Sequence, residues 1–134
     1  MRLAWTRVCA RLFGGAQGTL VNIAAYRKRR RPLIAFHVEH IVSRQHGGND
    51  DPAGLALACD RCNAYKGPNI TGIDPETGTL TALFHPRTDM WSDHFEMFEG
   101  HVIGVTPIGR ATARLLNMNA PRRVELRREW LREV

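Results

Sequence analysis

The sequence has 134 residues, of which 43% are hydrophobic and 24% charged, with a net charge of +6. This length fits one domain, and no apolar run approaches the roughly 18 residues that a membrane span requires. Three cysteines are too few for the disulfide framework of a small secreted protein. We therefore expect a protein without membrane segments and, by default, a cytoplasmic one.

The basic charge is concentrated at the N-terminus. Residues 1–38 carry eight Lys or Arg and no Asp or Glu, whereas residues 39–134 carry eleven basic and thirteen acidic residues. The excess peaks at five consecutive basic residues: Arg27, Lys28, Arg29, Arg30 and Arg31. Such a block attracts phosphate backbones, although a solvated tail is the alternative. We predict a basic arm over residues 1–32 and a folded domain over residues 33–134.

The clearest elements lie in the middle of the chain. Residues 33–41 alternate partly between apolar and polar side chains, which predicts a strand over residues 36–41. Residues 43–53 hold turn-forming residues, and the apolar run 55–58 predicts a second strand. Asp60 can cap a helix over residues 60–66 that ends at Gly67. The predicted order is strand, loop, strand, helix, in an α+β protein.

Weaker signals follow. A hairpin is predicted over residues 72–84 with its turn at 74–78, and a strand over residues 101–105. Thr106 and Pro107 open a helix to about residue 117, and a last helix is expected from Asn119. We expect its arginines to form a solvated, ion-paired surface. Trp91 and Phe95, at helical spacing, are expected in the core.

Three residues suggest phosphodiester chemistry. That reaction needs a base for water, a cation beside the phosphate and ligands for the cation. Histidine is the natural base because imidazole titrates near neutral pH. Glu39 and His40 are adjacent at a predicted strand end, and Asn63 lies on the following helix, where its carbonyl oxygen can serve Mg²⁺. We predict that these side chains share one cleft.

The same segment resembles the HNH nuclease family, also called ββα-metal or His-Me finger nucleases. The resemblance rests on Glu39-His40, Gly47-Gly48, Leu55 and the run from Cys59 to Gly67, which reads C-D-R-C-N-A-Y-K-G. It implies that His40 is the general base, that Glu39 and Asn63 hold Mg²⁺ or Mn²⁺, and that DNA is the substrate. It also implies a ββα-metal core at residues 36–67. The extension at residues 68–134, with its predicted β-hairpin and helices, resembles that of small bacterial stand-alone HNH proteins at residues 72–78, 83–87 and 91–95, whereas the N-terminus is divergent.

The sequence departs from the family pattern at two places. The family's middle Asn, which braces the loop, is Gly54 here, and Asn49, Asp50 or Asp51 are the candidates to replace it. Cys59 and Cys62 lack the second C-x-x-C that would complete four zinc ligands, so Cys9 or a histidine would have to join them. We expect zinc to bind weakly, if it binds.

Other assignments stay open. Arg44, Arg61 and Lys66 flank the motif and are candidate phosphate contacts, with ordinary surface charge as the alternative. The leading hypothesis is a metal-dependent endonuclease. A binding module that has lost activity is the second hypothesis, and a redox protein built on Cys59 and Cys62 is the third, although it lacks a βαβ context. Oligomeric state and target sequence are not predicted.

Overall fold

The computed structural model describes residues 36–132, so the predicted arm at residues 1–32 lies outside the described residues. Within this range six strands pair into three two-stranded antiparallel sheets, and four α helices accompany them. The architecture is α+β, as predicted.

The first unit is a strand pair followed by a helix. Strand β1, Phe36–His40, pairs antiparallel with β2, Leu55–Cys59, and helix α1, Asp60–Lys66, continues directly from β2. Two short 3-10 turns, Arg44–His46 and Pro52–Gly54, lie between the strands. Gly67 ends the helix with a φ of 50°, and its amide donates to the Asn63 carbonyl at 3.0 Å. The predicted order and bounds are confirmed to within one residue.

The second unit is a short hairpin. Strand β3, Thr71–Ile73, pairs with β4, Leu80–Ala82. Gly78 has a φ of 71° in the turn, a left-handed conformation that glycine adopts without steric cost. The predicted hairpin is confirmed, although its strands are shorter than the predicted range of residues 72–84.

The third unit was only half predicted. Helix α2, Trp91–His94, leads into β5, Phe95–Phe98, which pairs with β6, His101–Gly104. The predicted strand at residues 101–105 is confirmed, but its partner β5 was not predicted. Phe95 begins a strand, so its helical spacing from Trp91 was misleading.

Two helices end the described part of the chain. Helix α3, Pro107–Leu115, has Thr106 as its N-cap, whose hydroxyl accepts from the Gly109 amide at 3.1 Å. Helix α4, Pro121–Arg132, starts two residues later than predicted. The expectation of a wholly solvated arginine surface on α4 was wrong for Arg127, which is 2% exposed and donates to the Gly100 carbonyl at 2.7 Å and to the Met118 carbonyl.

One hydrophobic core joins the first unit to the extension. Trp91 stacks on Phe95 with ring centroids 4.0 Å apart, and the core position expected for both is confirmed. The buried cluster consists of Ala58, Cys62, Phe84, Trp91, Phe95, Val102, Ala113, Leu116 and Met118. Because Ala58 and Cys62 come from β2 and α1, residues 55–66 and the extension share this core. Among the described helices, none combines the length and the apolar character that crossing a bilayer requires.

Candidate active site

His40 is the last residue of β1 and carries a ring that is held by a carboxylate. Its Nε2 lies 2.8 Å from Asp50 Oδ1, and 31% of the His40 side chain is exposed. The hydrogen bond with His40 and the charge of Arg44 together lower the pKa of Asp50. An ionised carboxylate only accepts hydrogen bonds, so Nε2 is the donor. In the neutral ring, Nδ1 then carries the lone pair and can accept a proton.

Arg44 fixes the Asp50 carboxylate in turn. Its Nη2 donates to both Asp50 oxygens, each at 2.7 Å. Arg44 opens the 3-10 turn that follows β1, and Asp50 lies six residues later. Arg44, Asp50 and His40 therefore form a continuous line of charged and polar groups at the end of the strand.

Two glycines shape the loop that returns Asp50 to His40. Gly47 ends the 3-10 turn with a φ of 91°. A Cβ at Gly48 would stand 1.8 Å from the Val42 carbonyl oxygen, so a larger residue cannot fit without moving the backbone. The Gly48 amide donates to the Ser43 carbonyl at 2.9 Å and closes the loop. The Gly47-Gly48 pair thus has a backbone role at this site.

The three polar residues proposed to replace the missing Asn have different partners. Asn49 accepts from the Asp51 amide at 2.9 Å, and Asp51 accepts from the Ala53 amide at 3.0 Å. Both bonds stabilise the loop itself. Of the three residues, Asp50 is the one whose side chain contacts His40. At Gly54 a Cβ would meet nothing within 4 Å, so the position is open.

Glu39 and His40 have different neighbours, as adjacent strand residues do. Glu39 is 7% exposed, and its Oε1 lies 3.6 Å from Lys66 Nζ. Lys66 is equally buried and also donates to the carbonyls of His40 and Ile41, at 3.2 and 3.0 Å. An ammonium held in this way has little access to a phosphate, so Lys66 is not among the residues that we propose to contact DNA.

Asn63 is half-buried on α1, three residues before Lys66. Residues three apart lie on one side of a helix, so Asn63 is on the side of α1 that meets β1. Among residues 36–132, no three His, Cys, Asp or Glu side chains converge into a metal-binding group. Mg²⁺ usually takes only one or two protein carboxylates and keeps several waters. A carboxylate and an amide oxygen on packed elements fit that donor chemistry, and the ion would share Glu39 with Lys66.

Cys62 faces a cation from the extension. Its thiol is 2% exposed, and Arg123 Nη2 on α4 lies 2.9 Å from the sulfur. A positive guanidinium beside the sulfur opposes binding of a second cation there. Cys9, the other candidate zinc ligand, is outside the described residues. These contacts agree with the expectation that zinc binds weakly, which remains a prediction.

The basic residues predicted to contact phosphate differ in exposure and pairing. Arg61 is exposed at the start of α1, while Arg44 is exposed but paired with Asp50. The run from Arg27 to Arg31 lies outside the described residues. Among the described residues of the motif, Arg61 is therefore the strongest candidate for a phosphate contact.

The chain is a small α+β protein in which two antiparallel strands are followed by a helix. Its polar site is centred on His40, which lies at the end of the first strand and contacts the Asp50 carboxylate. Residues 28–69, about a third of the chain, match the model of the HNH endonuclease family. The match encloses this site and confirms the resemblance, and it indicates a nuclease-type function on nucleic acid. Neither a curated protein nor a solved structure matches the chain at a significant level.

Proposed function

We propose that the chain is a metal-dependent DNA endonuclease with a ββα-metal core. The observation that carries the proposal is the contact between His40 Nε2 and Asp50 Oδ1, at 2.8 Å, inside the matched HNH segment. A ring anchored through one nitrogen presents the other in a fixed direction, which is what a general base needs.

His40 Nδ1 takes a proton from a water molecule as the water oxygen attacks phosphorus. The bond from phosphorus to the 3′ oxygen breaks, and the leaving oxygen takes up a proton from solvent, so that the products carry a 5′ phosphate and a 3′ hydroxyl. Glu39 and Asn63 would hold a divalent ion, which supplies charge neutralisation at the phosphate when it is bound.

Binding of DNA is assigned to the basic residues at the edge of this centre. Arg61 is exposed on α1, and the run from Arg27 to Arg31 precedes β1 in the chain. Contacts of this kind bind the backbone without reading its sequence. Affinity and chemistry therefore depend on different residues.

The test is a cleavage assay on plasmid DNA with Mg²⁺ or Mn²⁺, and with EDTA. We expect His40→Ala to lower the cleavage rate by roughly 10²- to 10⁴-fold, the usual cost of losing a general base, with DNA affinity almost unchanged. His46→Ala is the matched control, because His46 is an exposed histidine on the neighbouring 3-10 turn. Cleavage that persists in His40→Ala would rule out His40 as the base.

The second candidate function is a nucleic-acid-binding module without activity. It is favoured by the Glu39–Lys66 pair, since Lys66 already neutralises the carboxylate that a metal would use. Wild-type protein that binds DNA but cuts it with no divalent ion would support this alternative.

A further inference from the structure

We infer that Asp50, which is held by Arg44, orients the His40 ring. Asp50 would thus take over the supporting role of the family's Asn, whose position is occupied by Gly54 here. The inference rests on the proposed function, because positioning matters only if His40 acts as a base. Asp50 lies four residues before Gly54 in the same loop, and Arg44 would orient its carboxylate rather than bind phosphate.

The backbone of His40 is already fixed without Asp50. His40 pairs with Leu55 in the strand register, and Lys66 donates to the His40 carbonyl. The amide of the next residue, Ile41, donates to the Gly54 carbonyl at 2.9 Å. These contacts do not set the rotation of the imidazole about its side-chain bonds. Among the described residues, Asp50 provides the side-chain hydrogen bond that does.

Arg44 favours one rotamer of Asp50. A carboxylate on an exposed loop samples several rotamers, and an exposed ion pair alone contributes little stability. Here one guanidinium nitrogen contacts both carboxylate oxygens, while Oδ1 also contacts His40. The rotamer that satisfies Arg44 is therefore the one that orients the ring.

The residues beside Asp50 provide a matched comparison. Asp51 has the same charge and the next position, but its carboxylate caps the 3-10 turn at Pro52–Gly54. A loop that merely loses order should affect activity through Asp51 as well. If Asp50 acts by orienting His40, activity should fall in variants of Asp50 and Arg44 but not in a variant of Asp51.

The experiment measures kcat and KM for DNA cleavage by the 134-residue chain and by its variants Asp50→Ala, Asp50→Asn, Arg44→Ala and Asp51→Ala. We expect Asp50→Ala to lower kcat by about 10²-fold with KM little changed, because a misplaced catalytic group costs rate rather than affinity. Asp50→Asn keeps an acceptor oxygen and should recover part of the loss. The kcat of Arg44→Ala should lie between those of Asp50→Ala and Asp50→Asn. The kcat of Asp51→Ala should stay near that of the wild type.

A double variant separates positioning from other roles. In a His40→Ala background, Asp50→Ala should cause no further loss of kcat, since residues that act as one unit are not additive. An equal loss in both backgrounds, or a loss in Asp51→Ala as large as in Asp50→Ala, would overturn the inference. So would a Gly54→Asn chain several-fold faster than wild type, which would show that His40 is poorly braced.

A measurement without substrate distinguishes failure of the inference from failure of the proposed function. If the wild-type chain does not cut DNA, the proposed function fails, but nitrogen NMR of the His40 ring still tests the contact. We expect the neutral ring to carry its proton on Nε2 in the wild type and to become a tautomer mixture in Asp50→Ala. An unchanged tautomer in Asp50→Ala would overturn the assignment of Asp50.

Discussion

Lys66 joins three groups at the end of β1. Its ammonium donates to the carbonyls of His40 and Ile41 and lies 3.6 Å from the Glu39 carboxylate. Both charged side chains are buried, so their attraction offsets part of the hydration that each loses. Lys66 thereby attaches the strand end that carries His40 to helix α1.

We expect Lys66→Met to lower the free energy of unfolding by about 3 kcal/mol, because it leaves the Glu39 charge buried without this partner. Urea denaturation measures the loss. Arg61→Ala, an exposed position on the same helix, should stay within about 0.5 kcal/mol of wild type. The double variant Glu39→Gln, Lys66→Met should recover part of the loss, and a double variant less stable than Lys66→Met would contradict a mutual pair.

The residues of the site differ in how far the sequence could predict them. Glu39, His40 and Asn63 belong to a local pattern, and the family match supports that pattern. The contact of Asp50 with His40 was not predictable, because Asn49, Asp50 and Asp51 are similar side chains in one polar loop. Their choice of partners depends on the turn at Gly47 and on the close approach of Gly48 to the Val42 carbonyl. Only the folded loop determines which of them reaches His40.

At the scale of elements, ion pairs of Arg110 with Asp74 and Glu76 attach the hairpin β3–β4 to helix α3. Asp74 is fully buried at the start of the turn, and Arg110 donates to its two oxygens from Nε and Nη2, each at 2.9 Å. The Glu76 amide and the Thr77 hydroxyl donate to the same carboxylate. These hydrogen bonds, that of Arg110 above all, hold the pKa of Asp74 well below its ordinary value of 3.8.

The lowered pKa of Asp74 gives stability a predictable pH dependence. In the unfolded chain this carboxyl takes up a proton near pH 3.8, whereas the folded chain resists protonation to lower pH. Its contribution is therefore complete at neutral pH and is lost as the pH falls below about 4. Thermal unfolding at several pH values should show a falling Tm in acid. Asp74→Asn should have a lower Tm at pH 7 and a flatter curve, and a variant with the wild-type slope would contradict this cause.

The elements themselves show what local sequence can predict. Helix α1 was predicted because Asp60 and Gly67 are strong start and stop signals at its two ends. Strand β5 was missed because its hairpin turn, Glu99-Gly100, has positive φ angles of 46° and 80° at both residues. Such turns usually carry Asn or Asp before Gly, and glutamate there gives no turn signal. The carbonyls of both turn residues accept hydrogen bonds from Arg127 and Arg128 on α4, and such long-range contacts are not visible in the local sequence.

At the scale of the whole molecule, the extension supports the motif. Arg123 on α4 contacts the Cys62 sulfur and donates to the Leu116 carbonyl at 2.6 Å, while Cys62 packs into the core shared with the extension. Structural zinc in a four-cysteine site would stabilise a small motif by itself. Here packing against residues 84–118 stabilises the helix that carries Asn63. These long-range contacts were not predictable from the sequence pattern.

The charge of the whole chain is divided between a basic N-terminal segment and a slightly acidic remainder. We expect replacement of Arg29, Arg30 and Arg31 by alanine to weaken DNA binding for all sequences. For every phosphate that the variant no longer neutralises, the slope of log affinity against log salt should become shallower by about 0.9. The cleavage rate at saturating DNA should stay unchanged, because His40 and Asp50 are intact.

A matched triple variant removes the same charge from the extension: Arg114→Ala, Arg122→Ala and Arg132→Ala, all at exposed positions on α3 and α4. Fluorescence anisotropy with labelled duplex DNA at several salt concentrations gives affinity and slope for both triple variants. A smaller slope in the N-terminal variant alone would assign the phosphate contacts to residues 29–31. Equal decreases in the two variants would instead attribute binding to net charge, since removing three positive charges anywhere would then have the same effect.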